Sequence, residues 1–378
     1  MKGGCSGPWN IGERAKYGVV QLRGNQEFTY DDNMWLVQSG KTNDWVSISS
    51  PGLVYRLGDP KNNAIEAGYD VNVIRYFQQT GEDGEEHNPY FQATFGFGKT
   101  RLNFVDTMNI VQGGDNRVGG NETTARVKKL QNDGTVSSET QISDRFALGL
   151  HAHCLYYDPQ GGLLQRTQID GGTTVFYKAF AKVDVYTELN GGHVDVRQGG
   201  QENFMQGKVG YRGDLTPKLS GRFDVGGEYR ASSLSWVPDQ TTPVISGGMT
   251  HKCTDDFSVG VRSSRSINNS ITTSGQTYVS SLVGLKLDYQ FGPFLKSESK
   301  TRKMSFGLDF SYENDSFELP TGNQAQDLDL YTVAPSLEVR IQEYWKVYLV
   351  YRYQDNESNL SGGNYKNNRL SLGTSVLF

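Results

Sequence analysis

A set of charged side chains recurs at every second position of short apolar-polar runs. The basic ones are Lys208, Arg212, Arg222, Arg262, Lys286, Lys303, Arg340, Lys346, Arg352 and Arg369; the acidic ones are Glu66, Asp70, Asp224, Glu228, Asp288, Asp309 and Glu338. A period of two places each run's charges on one face of an extended strand. Around a closed wall, such charges have two uses. A basic excess favours anionic solutes or an acidic polysaccharide, because wall charges tune selectivity. Alternatively, cross-strand pairs of opposite sign satisfy one another and brace a filled lumen, and one wall can do both. Tyr348 shares this inward phase and is a candidate carbohydrate contact, whereas Trp345 and the tyrosines at strand ends fit an interfacial girdle.

Other chemistry is weaker. His151 and His153 sit two apart, hence on one face, but no third ligand accompanies them, so they read as lining residues and no metal is expected. Gly98-Lys99-Thr100 lacks the glycine that a phosphate loop needs five residues earlier, where Ala93 stands, and fits a hairpin turn. Glu82-Asp83-Gly84-Glu85-Glu86-His87 lacks the spacing of a calcium loop and reads as a solvated loop. A lumenal hydrolase would need a Ser-His or Asp-His pair, and His87, His193 and His251 lie in or near loops or strand ends, outside any motif. No catalytic residue and no cofactor are expected.

The charges need strands to carry them, and the clearest strand is the last. Leu370, Leu372, Thr374, Val376 and Phe378 form one face; Arg369, Ser371, Gly373, Ser375 and Leu377 form the other. The same alternation marks Ile65 to Val73, Phe91 to Phe97, Phe146 to Tyr156, Met205 to Tyr211, Leu219 to Tyr229, Val283 to Tyr289, Met304 to Tyr312, Tyr331 to Ile341 and Val347 to Tyr353. Residues 101–110 have an ambiguous phase, because Asp106 falls on the side of Leu102 and Phe104, and 173–189 are weakly phased. Trp45 to Tyr55 reads as a strand interrupted at Ser50-Pro51-Gly52, and Pro335 predicts a local bulge. Short connections such as Ser143-Asp144 alternate with long polar ones at 78–88, 112–124, 158–171, 190–201, 232–242, 313–328 and 354–366. These features predict an all-β fold: a single transmembrane antiparallel β-barrel of about 18 strands (16–18), with short periplasmic turns and long extracellular loops. Residues 16–378 would form the barrel and 1–15 an N-terminal periplasmic extension.

Bulk composition agrees. Hydrophobic residues make up only 36% of the 378-residue chain, while Gly 45, Tyr 21 and Phe 18 are abundant, which suits many short strands around a polar interior. No apolar run is long enough for a helical span. A net charge of −5 with mixed signs argues against a nucleic-acid binder. Cys5, Cys154 and Cys253 form no spaced pair and indicate neither zinc nor a disulfide framework. The opening Met1-Lys2-Gly3-Gly4-Cys5 lacks the apolar stretch of a signal peptide and reads as a mature or trimmed start.

Short motifs carry a resemblance across the whole chain. Phe28-Thr29-Tyr30-Asp31-Asp32-Asn33, Ile48-Ser49-Ser50-Pro51-Gly52-Leu53, Ser143-Asp144-Arg145, Val350-Tyr351-Arg352-Tyr353 and Asn364-Tyr365-Lys366-Asn367-Asn368-Arg369 resemble the Putative beta-barrel porin-2 group of bacterial outer-membrane proteins, which includes barrels of exopolysaccharide export systems. Lys366 and Asn364 depart from a stretch that is usually more acidic. The terminal Phe378 resembles the closing aromatic that marks such barrels for assembly. The resemblance implies an outer-membrane location, contact with lipid, lipopolysaccharide and the barrel-assembly machinery, and a transport role that could involve polysaccharide or periplasmic export components. A structural barrel that anchors another surface assembly through its loops is the rival reading, with the lumenal hydrolase behind it.

Overall fold

The period-two pattern folds into eighteen antiparallel strands in a computed structural model that describes residues 18–59, 62–115, 127–292, 303–318, 326–359 and 363–378. The first six are β1 (Val19–Asp31), β2 (Asp44–Gly58), β3 (Ala64–Tyr76), β4 (Gly84–Phe97), β5 (Thr100–Asp115) and β6 (Val127–Gln141). The middle six are β7 (Phe146–Pro159), β8 (Arg166–Phe180), β9 (Val183–Val196), β10 (Gly200–Asp214), β11 (Leu219–Ser232) and β12 (Gln240–Lys252). The last six are β13 (Phe257–Asn269), β14 (Thr277–Phe291), β15 (Lys303–Glu318), β16 (Gln326–Gln342), β17 (Trp345–Ser358) and β18 (Tyr365–Leu377). Each pairs with its neighbours in sequence, and β1 pairs with β18 from Arg23 and Leu377 to Asp31 and Arg369, so the sheet closes and keeps no edge. Residues 1–15, expected as an extension, lie outside the described residues.

The hydrophobic pattern is inverted relative to a soluble protein. Large apolar side chains cover the outside, among them Leu372 at 54% and Val209 at 54% exposure, while the inside holds charged and polar residues such as Asp224 and Asn367 at 0%. An apolar outer band with aromatics at both ends is what a bilayer requires. A barrel of this strand number encloses an aqueous lumen.

Three local expectations are corrected. Pro335 causes no bulge: the pairs Val333 with Tyr353 and Ser336 with Val350 keep one register across it, and the irregularity in that ladder falls between Arg340 and Gln342. The missing proline donor is absorbed because the flanking pairs hold the strands without an extra residue. β2 runs unbroken through Ser50-Pro51-Gly52, which pair with Asn25, Gly24 and Arg23 of β1. Glu85, Glu86 and His87 belong to β4, and the connection between β9 and β10 shrinks to 197–199, because strands that project beyond the bilayer are wet on both faces and look like loops in sequence. The phase of β5 is resolved, with Asp106 sharing the outer face with Leu102, Phe104 and Phe91, its partner on β4.

Two extracellular connections turn inward. Beyond the pair Ile245 and Arg265, the β13–β14 hairpin leaves β12 and reaches lumen-facing side chains elsewhere. Ile271 at its tip is buried with Val127 and Tyr157, and Leu163 packs against that cluster. Leu164 N donates to Ile271 O at 2.7 Å, and Ser274 Oγ donates to Gln198 O at 2.8 Å. The β1–β2 connection likewise seats Leu36 against Leu330 and Tyr365.

Candidate functional site

Pairing on the lumen wall begins low in the barrel, around β8 to β11. Arg212 of β10 donates Nη1 to Glu139 Oε2 at 2.9 Å and Nη2 to Glu139 Oε1 at 2.8 Å, and Nε to Asp184 Oδ2 at 3.1 Å. Glu139 lies on β6, so the guanidinium spans three intervening strands, about 19 Å of wall arc at the usual strand spacing. It does so by lying on the Phe176 ring, 3.7 Å from its centroid. Beside it, Lys208 Nζ meets Glu188 Oε1 at 2.9 Å and Asp224 Oδ1 at 3.8 Å. Arg222 donates Nε to the Tyr186 hydroxyl at 2.7 Å and to Asp224 at 3.3 Å, and Tyr186 donates to Asp224 at 2.8 Å. These charges form a network, not free wall charges.

Higher up, Arg230 is 6% exposed and donates to Glu228 at 2.7 Å, Glu202 at 3.2 Å and Asn269 Oδ1 at 3.1 Å, while Asn269 Nδ2 donates to Glu202 at 2.8 Å. Asn269 is the last residue of β13, so this buried cluster pins the infolded hairpin to β10 and β11. Removing one member of such a cluster leaves a buried charge uncompensated.

The remaining candidates divide by partner. Arg262 makes a bidentate pair with Asp309 at 2.7 and 2.9 Å, Lys286 meets Asp288 at 3.1 Å, Lys346 meets Glu338 at 2.9 Å, and Arg369 meets Asp31 at 2.7 Å. Arg352 is engaged as well. Lys303 and Arg340 differ. They are direct cross-strand partners, and Arg340 is in turn opposite Lys346, so three cations stand in a row where β15, β16 and β17 meet the periplasmic end. Among the described residues, no carboxylate pairs with Lys303 or Arg340. Like charges set opposite one another are destabilising.

Tyr348 lies on the lumen face and the single proton of its hydroxyl is shared between Glu27 Oε2 at 2.8 Å and Asn25 Oδ1 at 3.0 Å. Its ring rests against Gly373 so closely that a Cβ there would collide with it, so the glycine is required by the approach of the ring. Gly68 receives Tyr90 in the same way.

His151 and His153 both face the lumen, opposite Gly172 and Asp170 of β8. His153 is bracketed by carboxylates, Nδ1 to Asp170 at 2.8 Å and Nε2 to Asp133 at 3.3 Å. Among the described residues, no three potential metal ligands converge. At the extracellular rim, a cavity of about 650 Å³ is lined by Asp327, Asp329, Asp355, Glu357 and Lys366 among others. There the hydrogen bond from the Lys366 ammonium to Asp355, 2.9 Å long, raises its pKa above the ordinary lysine value.

Several wall residues escaped sequence reasoning: Arg23, paired with Asp70 at 2.6 Å and over the Tyr90 ring, together with Glu139, Asp184, Glu188, Glu202 and Arg230. For Asp184 and Glu188 the signal was obscured because the inward face of β8 and β9 also carries Phe176 and Tyr186. The phase of Tyr211 and Val209 on β10, read across the register, would have located them.

A family model described as Putative beta-barrel porin 2 matches residues 165–378. No curated protein matches the chain. Among solved structures, the chain is similar to Acinetobacter baumannii OccAB3, with 11% identity, a TM-score of 0.51, and 95% of this chain and 99% of that one covered. Pseudomonas aeruginosa OccK11 (OpdR) is similar at 12% identity and a TM-score of 0.50, with 98% and 100% covered. At these identities the likeness is one of fold.

Proposed function

Because this chain belongs to the Putative beta-barrel porin 2 family and is a porin-like barrel of the bacterial outer membrane, we propose that it is a passive channel preferring anionic solutes, with export of an acidic polysaccharide as its specific task. The observation that carries this reading is the row Lys303, Arg340 and Lys346. Most other cations on the wall, Lys346 of this row included, are matched to carboxylates and brace it, whereas Lys303 and Arg340 keep uncompensated charge at the periplasmic mouth. A polymer leaving the periplasm would meet it first, and a patch of positive charge at the mouth favours anions. No residue is assigned a catalytic role.

Reversal potentials in planar bilayers under a salt gradient test the reading. The wild type should favour chloride over potassium, more strongly at low salt where screening is weak. Lys303→Gln combined with Arg340→Gln should move the reversal potential toward cation selectivity. Acidic polysaccharide on the periplasmic side should block the current of the wild type and not that of the double variant. Unchanged reversal potentials would defeat the anion preference, and silence at all voltages would favour a structural barrel.

A further inference from the structure

Toward the extracellular end the ladder between β12 and β13 stops short. It runs from Lys252 and Ser258 up to Ile245 and Arg265, although β12 extends to Gln240 and β13 to Asn269. On its other flank the hairpin stays tied to the wall, with β14 paired to β15 as far as Thr277 and Glu318. This corner of the sheet therefore rolls inward like a scroll, and β13 is its inner edge. The face that carries Asn269 and Thr277 lies against the lumen side of β10 to β12: Asn269 bonds to Glu202 and Arg230, and Thr277 Oγ1 donates to Gln240 Oε1 at 2.9 Å. Ile267 and Val279, on the same face, are buried.

The two edges held apart are complementary. Lys252 N donates to Lys218 O, which turns the backbone groups of Lys252 toward β11; counting in twos along β12, those of Ile245, Pro243 and Thr241 point toward β13. Gln290 N donates to Asp256 O, which by the same count turns those of Arg265, Ile267 and Asn269 toward β12. Carried two steps further, the existing register sets Pro243 opposite Ile267 and Thr241 opposite Asn269, with three of the four ladder bonds available. The fourth is missing because Pro243 has no N–H, the mark of a strand edge. The hairpin also keeps the alternation of a wall strand. Ile267 and Val279 share the phase of Val261 and Val283, which face lipid, while Ser264, Ser266 and Asn268 share the lumen phase. Its apolar face thus suits either the lumen side of β12 or the bilayer.

We infer that the β13–β14 hairpin exchanges between two seats and so gates the extracellular mouth. In the lumen seat its tip crosses the mouth to bury Ile271 with Val127 and Tyr157, and the channel is narrowed. In the wall seat β13 zips onto β12 above Ile245, both free edges are closed, and the mouth is cleared. The buried bonds of Asn269 and the burial of Ile271 hold the first seat; three new ladder bonds hold the second. Pro243 withholds the fourth bond and so keeps the wall seat from winning outright, which leaves the hairpin a two-state element. The inference rests on the channel reading for its electrical consequence only.

Disulfide trapping of the full chain in outer membranes tests it, with Cys5, Cys154 and Cys253 replaced by serine throughout. Thr242→Cys with Asn268→Cys reports the wall seat. The continued register makes these a closely spaced pair, whereas in the lumen seat the Asn268 side chain points away from the wall that Asn269 faces. Gln240→Cys with Thr277→Cys reports the lumen seat, where the native side chains touch. Under mild oxidation both disulfides should form in barrels of normal heat-modifiable mobility. The wall-seat form should conduct at least twofold more than the lumen-seat form in planar bilayers, and reduction should abolish the difference. Pro243→Val, which restores the missing donor, should speed the wall-seat disulfide at least threefold. A lumen-seat disulfide that forms fully while the wall-seat one does not overturns the inference, as do two conducting locked forms that carry the same current. Two locked forms that both assemble and both stay silent would defeat the channel reading and still establish the exchange of seats.

Discussion

Arg212 on β10 and Glu139 on β6 meet in a two-pronged pair, 2.8 and 2.9 Å, across three strands of the barrel wall. The pair shortens a chord of the lumen and so sets its width near the periplasmic side. Both side chains are about a third exposed, 33% and 39%, which limits what the pair adds to stability. Arg212→Ala should cost only about 1 kcal/mol in a urea unfolding midpoint. Its electrical effect should be larger, because Glu139 and Asp184 lose their shared cation: conductance should rise and cation permeability should increase. Restoring neutrality with Glu139→Gln in the same chain should reverse part of the selectivity change.

Arg230 presents the opposite balance. It is buried with Glu202, Glu228 and Asn269, so Arg230→Ala should cost on the order of 3–5 kcal/mol. The β13–β14 hairpin should then come free of the wall, seen as flickering between conductance levels. Asn269→Ala, which removes the amide's bonds to Arg230 and Glu202 and leaves the ion pairs, should destabilise the barrel by about 1.5–3 kcal/mol.

Gly373 and Tyr348 test wall packing against sugar contact. Gly373→Val should displace the Tyr348 ring and lower the folded yield in the outer membrane. Tyr348→Phe keeps the ring on the glycine and loses only the hydroxyl's shared bond to Glu27 and Asn25, about 1–2 kcal/mol in total. If Tyr348 touches a passing polysaccharide, the Phe variant should also weaken polymer block of the current, with conductance in salt alone unchanged.

Phe378 joins the seam through its backbone, exchanging bonds with Leu22 at 2.8 and 3.0 Å, and its ring lies 5.9 Å from that of Tyr344. Deleting Phe378 should lower the amount of barrel in the outer membrane severalfold, measured by heat-modifiable mobility, while barrels that do assemble should conduct normally.

The fold was legible because a bilayer imposes its alternation residue by residue: Leu370, Leu372 and Val376, or Phe306, Leu308 and Phe310, declare their face without help from elsewhere in the chain. The inward face is harder to read. Arg212 reaching Glu139 is a contact between residues 73 apart, and nothing local in either strand announces it. Nor does the sequence around Ile271 reveal that its hairpin turns inward, since that depends on Val127, Tyr157 and Leu163 offering a dry seat. Asp106 broke the alternation of β5 in sequence, and the structure keeps the exception by leaving the carboxyl outside.

Lys303, Arg340 and Lys346 occupy one end of the barrel only. With Asp327, Asp329, Asp355 and Glu357 at the other end, the conduit is a diode: mobile ions accumulate between the two zones under one polarity and are depleted under the other, so current through this protein should rectify, running larger when anions are driven in from the periplasmic side.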